Sequence, residues 1–286
     1  MLFLKILILA VIQGITELLP VSSSAHVIVA EKLMGLDPTS PQMTLLLAML
    51  HTGTMFAVIV FFWSSWKKSF FSSKKVFQES LKFILVATIL TGCVGVGLKI
   101  LIEKFLLKET PHAEIEMIFG NLAFISAALA LVGILILWAG KGSKFPGMKN
   151  SLGLKASCMI GAVQGICLAF RGFSRSGATI STGLLLGIDK KIVENFSFAL
   201  AVVLTPPVIV REVLRLFKAQ HVHALHHIDM LSLLTPSLIG MVLSFISGIL
   251  ALRWLSSWLE SGRWYLFGIY CLGASVVVFL LHCRGL

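Results

Sequence analysis

Charge is what this sequence has least of. Only 13% of its 286 residues are Asp, Glu, Lys or Arg, against about 25% in a soluble domain. So few charges cannot coat a water-facing surface, and a soluble globular chain is excluded. Disorder is excluded as well, because 57% of the residues are hydrophobic and the mean hydropathy is +0.95. Cysteine is scarce: Cys93, Cys158, Cys167, Cys271 and Cys283 show no CxxC spacing and mostly fall in apolar runs. Neither a disulfide framework nor a zinc site is expected from them. Acidic residues are few, 13 against 24 Lys and Arg, for a net charge of +11. No polar domain carries that excess. Nucleic acid is therefore not an expected partner, and loops lying against anionic lipid are. The first apolar run contains Gln13 and Glu17 and no small-residue cleavage pattern follows it, so it reads as mature structure.

What is present is apolar runs. Six are long enough to cross a bilayer: about 43–63, 82–102, 117–139, 194–210, 229–252 and 264–283. Pro206-Pro207 in the fourth predicts a kink. Four further runs, 1–19, 24–36, 156–170 and 176–188, are too short or too polar to span alone. They form two pairs, each around a Ser-rich turn, and each pair reads as a re-entrant helical hairpin. The pairs are related in sequence. Gln13 to His26 reads QGITELLPVSSSAH, and Gln164 to Thr179 reads QGICLAFRGFSRSGAT. Each is followed by three spans, an internal repeat of about 1–140 and 150–286 within one membrane domain, 1–286. Three crossings per copy invert the second copy. The expected fold is thus an all-α polytopic membrane protein with an inverted-topology repeat, six spanning helices and two re-entrant hairpins. Such repeats place a site where the broken elements meet.

The loops near 64–82, 141–155, 189–191 and 253–263 carry thirteen of the Lys and Arg residues, and the opposite face carries eight. That bias puts both termini outside the cytoplasm. Gly35 and Pro38 mark a loop without evident chemistry. His221, His223, His226 and His227 cluster between two spans and read as a solvated loop rather than a metal site.

Ionisable groups inside membrane segments are costly and point to function. The first turn offers Glu17, Ser22, Ser23, Ser24 and His26. The second offers Ser174, Arg175, Ser176 and Thr179, with Arg171 just before. Phosphate chemistry suits these types. The Arg175 fork matches phosphate oxygens, and a half-helix opening near Ser176 presents free N–H groups to an anion. Glu17 suits a general base, a partner of His26, or a ligand of a divalent cation that bridges phosphate oxygens. His26 suits a nucleophile, general acid or general base. Ser23 is a rival nucleophile if His26 takes its proton. The bland roles are helix capping for the serines and a buried ion pair for Glu17 and Arg175. Gln13 and Gln164 read as supports of the broken helices.

QGITELLPVSSSAH and RGFSRSGAT resemble the paired signatures of the bacitracin-resistance type undecaprenyl-diphosphate phosphatases. HTGTMFAVIVFFW and NFSFALAVVLTPP extend the resemblance along essentially the whole chain. The resemblance implies an enzyme of the bacterial plasma membrane with an outward-facing site. It would convert undecaprenyl diphosphate to undecaprenyl phosphate and inorganic phosphate, recycling the lipid carrier of peptidoglycan and conferring bacitracin resistance. It also implies a divalent cation, Mg²⁺ or Ca²⁺. The implied catalytic residues are Glu17, Ser23, His26 and Arg175. Ser22, Ser174, Arg175, Ser176 and Thr179 would bind phosphate, and Glu17 with Gln13 would hold the metal. A homodimer is a further expected assembly. Two positions depart from the family pattern: Arg171 replaces a proline, and Cys271 follows Tyr270 where Tyr-Arg is common. Gln13 lies within the range of the first signature, Glu/Gln-xxx-Glu, and removes a carboxylate that many members carry.

The main rival is a transporter that flips the lipid carrier through the same head-group site. It would leave the diphosphate intact, so turnover discriminates. An acid-phosphatase type lipid phosphatase would need a second histidine after SRSGATIST, which is absent. A purely structural membrane protein would leave Glu17 and Arg175 without a purpose.

Overall fold

The computed structural model describes residues 2–37, 40–105, 120–142, 151–222 and 230–285. Among them the chain is all helical: α1 Leu2–Leu18, α2 Ser23–Met34, α3 Pro41–Ser69, α4 Lys74–Phe105, α5 Leu122–Gly142, α6 Leu154–Ala169, α7 Arg175–Leu185, α8 Lys190–Val222, α9 Met230–Glu260 and α10 Tyr265–Cys283. Six of these, α3, α4, α5, α8, α9 and α10, are long and apolar enough to cross a membrane. The chain is a multi-pass membrane protein. Without water in the hydrocarbon core, backbone groups must bond within the helix. Hydroxyls within the spans follow the same rule: Thr88 Oγ1 donates to Ile84 O at 2.8 Å and Thr91 Oγ1 to Ala87 O at 2.8 Å. Outward faces are apolar, with Leu85, Ile89, Leu131, Trp138, Leu250 and Phe279 exposed. Lipid is the medium such a surface requires.

The four short helices have 17, 12, 16 and 11 residues. At ~1.5 Å per residue each falls short of a hydrocarbon core about 30 Å thick. They lie where the sequence pattern puts them, as pairs α1/α2 and α6/α7. α8 runs through Pro206 and Pro207 as one helix. The basic segment 143–150, Pro38, and His223, His226 and His227 lie outside the described residues, as does the side chain of His221.

Packing follows an exchange of the two halves. α1 packs on α9, as α6 packs on α4. α3 packs on α9, as α8 packs on α4. The glycines after each Gln make the first of these contacts possible. A Cβ at Gly14 would lie 2.6 Å from Ser244 O on α9, and one at Gly165 would lie 2.8 Å from Thr91 O on α4. Between the halves sits a core of Leu18, Val132, Ile136, Phe198, Leu252 and Trp264. The buried Trp264 indole N–H donates to Ser181 Oγ at 3.1 Å, and so ties α10 to α7. That core backs both Ser-rich turns.

Candidate functional site

The first turn is strained. Ser22, next to the start of α2, has φ 68° and ψ 98°, a region that residues with a side chain rarely adopt. Its geometry is held by its neighbours: Ser22 O accepts from His26 Nδ1 at 2.8 Å, and Ser22 Oγ lies 3.2 Å from Ser24 Oγ. Strain of this kind gathers at functional sites. The second turn is capped conventionally, with Ser174 Oγ accepting from Gly177 N at 3.3 Å. The turns are joined directly. Ser176 Oγ donates to Leu19 O at 3.1 Å, and Gly172 N donates to Ser24 Oγ at 3.3 Å. Gly172 has φ 99°, and a Cβ there would lie 2.6 Å from Ile125 O, so only glycine fits.

Glu17 is the hub. Its Oε2 accepts from Ser23 Oγ at 2.5 Å and from Gln13 Nε2 at 3.1 Å. Its Oε1 accepts from Arg175 Nη2 at 3.3 Å. The other terminal nitrogen, Arg175 Nη1, is buried without a hydrogen-bond partner among the described residues. An orphan guanidinium donor beside a polar cavity is an opening for an anion. It borders a polar cavity of about 110 Å³ lined by Thr16, Glu17, the serines 22, 23, 24 and 174, Cys167, Phe173 and Arg175. At ~30 Å³ per water that is room for a phosphate-sized group. In the first turn of α7 the Gly177 N–H is capped by Ser174 Oγ and the Ala178 N–H bonds Ser174 O, while those of Arg175 and Ser176, which no helix carbonyl can satisfy, suit an anion.

His26 stands apart from that cluster. A carbonyl only accepts, so Nδ1 carries the proton given to Ser22 O, and Nε2 accepts from the Tyr270 hydroxyl at 2.7 Å. The two rings stack at 5.7 Å. The proton partner of Ser23 is therefore Glu17 rather than His26. His26 and Tyr270 instead line an apolar groove of about 750 Å³ between α1, α2, α5 and α10, with Ile12, Ile15, Val29 and Gly273 among its walls. Thr16 lines both the groove and the polar cavity.

Two of the expected phosphate ligands point elsewhere. Thr179 Oγ1 lies 2.6 Å from Ser197 Oγ and donates to Arg175 O at 2.8 Å, so it fastens α7 to α8. Ser176 spends its hydroxyl on Leu19 O. Neither residue lines the cavity, because helical periodicity turns both away from it. Gln164 is likewise outside: its Nε2 donates to Thr91 Oγ1 at 3.1 Å, a packing bond between α6 and α4. Cys271 is buried and its thiol donates to Pro20 O at 3.3 Å, bracing the first turn. Arg171 interacts electrostatically with the buried Glu31 of α2, so it too links the halves.

Tyr270 and His51 border the site from outside the two Ser-rich turns, although His51 opens the HTGTMFAVIVFFW stretch. Tyr270 lies in the last span, 244 positions from His26. His51, on α3, accepts from Gln13 Nε2 at 3.2 Å and lies 3.8 Å from Glu17 Oε2. A signal for it existed, since it is an imidazole inside an apolar span.

Six apolar spans around a half-buried carboxylate, serine and arginine define a polytopic membrane protein with a small polar cavity. Residues 6–277 match the family model described as bacitracin resistance protein BacA, and the chain belongs to that family. It is 57% identical over 279 residues to undecaprenyl-diphosphatase 2 of Acinetobacter baylyi, covering 97% of each chain. It is 34% identical over 278 residues to the undecaprenyl-diphosphatase of Thermodesulfovibrio yellowstonii, covering 97% of this chain and 96% of that one. It is 31% identical over 274 residues to that of Parabacteroides distasonis, covering 95% of each.

Proposed function

We propose that this protein is an undecaprenyl-diphosphate phosphatase. It hydrolyses undecaprenyl diphosphate to undecaprenyl phosphate and inorganic phosphate, which recycles the carrier for envelope synthesis and underlies bacitracin resistance. The observation that carries this reading is the Ser23–Glu17–Arg175 chain beside a phosphate-sized cavity that meets an apolar groove at Thr16.

The diphosphate enters the polar cavity, and the prenyl tail lies along the groove. Arg175 Nη1 and the N–H groups of Arg175 and Ser176, at the open end of α7, take the terminal phosphoryl oxygens. They are set where charge develops. Ser23 Oγ attacks the terminal phosphorus, and its proton passes to Glu17 Oε2. The bond from that phosphorus to the bridging oxygen breaks, and undecaprenyl phosphate leaves with the proton from Glu17. Water then attacks the phosphoserine and gives a proton to Glu17; the bond from phosphorus to Ser23 Oγ breaks, Glu17 returns that proton to Ser23 Oγ, and phosphate departs. Attack is in line, so the cavity contributes mainly positioning and charge stabilisation. His26, held as its Nδ1–H form by Ser22 and Tyr270, orients the junction of head group and tail.

A divalent cation fits this site only as one shared with the substrate. Among the described residues no three His, Cys, Asp or Glu side chains gather to hold a metal. Glu17 is the carboxylate at the cavity, and Mg²⁺ is commonly held by one carboxylate plus substrate phosphates. Glu17 would hold the ion, which would neutralise phosphate charge. Gln13 turns its NH₂ rather than its carbonyl to Glu17, so in this arrangement it supports the carboxylate instead of binding a cation.

We place the protein in the bacterial plasma membrane, with α1/α2 and α6/α7 re-entering from opposite faces and the cavity open to the outside. The excess of Lys and Arg on the α3–α4, α5–α6, α7–α8 and α9–α10 side supports this orientation. Every group of the site comes from one chain, so the expected homodimer concerns assembly rather than chemistry.

The test is phosphate release from undecaprenyl diphosphate by purified protein in detergent, with Mg²⁺, with Ca²⁺ and with EDTA. Release by the wild type and none by folded Arg175→Ala is expected. An intact diphosphate after incubation with folded wild type overturns the reading.

A further inference from the structure

The Gln13 amide faces two acceptors at once. Its Nε2 lies 3.1 Å from Glu17 Oε2 and 3.2 Å from His51 Nδ1. The flipped amide would set its carbonyl oxygen against a carboxylate oxygen, two acceptors in contact, so the NH₂ must face both. One amide hydrogen goes to Glu17 and the other to His51. His51 Nδ1 then presents a lone pair and its ring proton sits on Nε2. The consequence concerns Glu17. Its Oε2 takes hydrogen bonds from Ser23 and Gln13 while Oε1 takes one from Arg175. The Gln13 bond is the one that comes from neither the reacting serine nor the phosphate-binding arginine. It keeps the carboxylate in place once those two engage substrate, and its direction is set by His51 from α3. Gln13 and Glu17 are one helical turn apart on α1, so a rotation of the amide alone would break the support.

We propose that His51 is a positioning residue of this site, acting through the Gln13 amide to hold Glu17 where it receives the Ser23 proton. The role rests on the phosphatase reading above. It also gives the amide at position 13 a function, because a neutral amide can donate to Glu17 and His51 together and a carboxylate cannot.

The experiment has two arms on the full-length protein in detergent. In the first, steady-state phosphate release is measured for His51→Leu, His51→Asn, Gln13→Leu and the His51→Leu/Gln13→Leu double variant. Asn offers a carbonyl oxygen near the place of Nδ1. A misplacement of the carboxylate costs up to about 100-fold. We expect kcat to fall about tenfold to 100-fold in His51→Leu with KM within about twofold, and to recover most of that loss in His51→Asn. The double variant should be no worse than Gln13→Leu, since both act on one bond. In the second arm, ¹⁵N NMR of labelled histidine reads the ring directly. An unprotonated Nδ1 at His51, with a resonance that moves in Gln13→Leu, is expected whether or not the assay is active. A folded His51→Leu with wild-type kcat overturns the proposal while leaving the phosphatase reading intact. So does additive loss in the double variant, or a protonated Nδ1. A folded wild type that releases no phosphate overturns the phosphatase reading itself, and with it the positioning role.

Discussion

The Ser23 hydroxyl donates to Glu17 Oε2 at 2.5 Å, across the break between α1 and α2. That bond couples a hydroxyl to a carboxylate within one short turn, and Arg175 of the other half completes it through Oε1 at 3.3 Å. The two halves therefore meet in a single carboxylate. A buried ion pair alone would need no serine, and a serine cap alone would need no arginine with an idle nitrogen.

If Ser23 and Glu17 act as a unit, their losses do not add. Ser23→Ala and Glu17→Gln should each lower kcat by about 10²–10⁴-fold. The double variant should be no slower than the worse single. His26→Ala, which removes no proton acceptor from Ser23, should lose less than either. Phosphate release under saturating substrate decides this, and a larger loss in His26→Ala than in Ser23→Ala would move the nucleophile to the imidazole.

The positive φ of Ser22 makes a separable prediction about stability. A non-glycine residue in such a region costs about 1–3 kcal/mol. Ser22→Val, β-branched and stiffer, should melt several degrees lower than wild type. Ser22→Gly should melt at or above it, since glycine adopts φ 68° freely. Thermal melts in detergent check this, and equal losses in both variants would show that the hydroxyl rather than the backbone sets the stability.

Helix crossing at Gly14 is tight, for a Cβ there would lie 1.9 Å from Ser247 Oγ and 2.6 Å from Ser244 O. The serine hydroxyl can rotate away and the backbone carbonyl cannot. Gly14→Ala should therefore separate α1 from α9, destabilise by about 1–3 kcal/mol, and lower activity through the neighbouring Gln13. Gly92→Ala, where a Cβ meets nothing within 4 Å, should leave both melting and turnover unchanged. Wild-type behaviour of Gly14→Ala would mean that α1 and α9 have room to shift.

Much of this was legible in the chain. The six spans, the four short helices and the pairing of the two Ser-rich turns follow from run length and from one repeated phrase beginning Gln-Gly-Ile. Glu17, Ser23 and Arg175 were legible because charge and hydroxyls are expensive at membrane depth. The orientation of side chains was not. Thr179 and Ser176 share a turn with Arg175, yet helical geometry aims their hydroxyls at Ser197 and Leu19. His26 looked like the partner of Ser23 by proximity in sequence, but the bend at Ser22 swings its ring toward Tyr270. His51 and Tyr270 come from distant helices, and only tertiary packing brings them in. The likeness of Gln13 and Gln164 also hid an asymmetry: the first serves Glu17, the second packs against Thr91.

The groove between α1, α2, α5 and α10 should read the prenyl chain by shape. A tail moving from lipid to groove gains nothing from leaving water. Its contribution is to orient the diphosphate at Thr16, and a shift of about 1 Å there can cost 10²-fold. Gly273 lines the groove one helical turn beyond Tyr270, and a Cβ at this position meets nothing within 4 Å. Gly273→Phe therefore fills the groove without disturbing the helix packing. We expect kcat/KM on undecaprenyl diphosphate to fall about tenfold to 100-fold. A five-carbon prenyl diphosphate, too short to reach that turn, should be hydrolysed as by wild type. Equal losses on both substrates would show that Phe disturbs the His26–Tyr270 junction instead. Unchanged turnover of the long substrate would send the tail along another face of the helices.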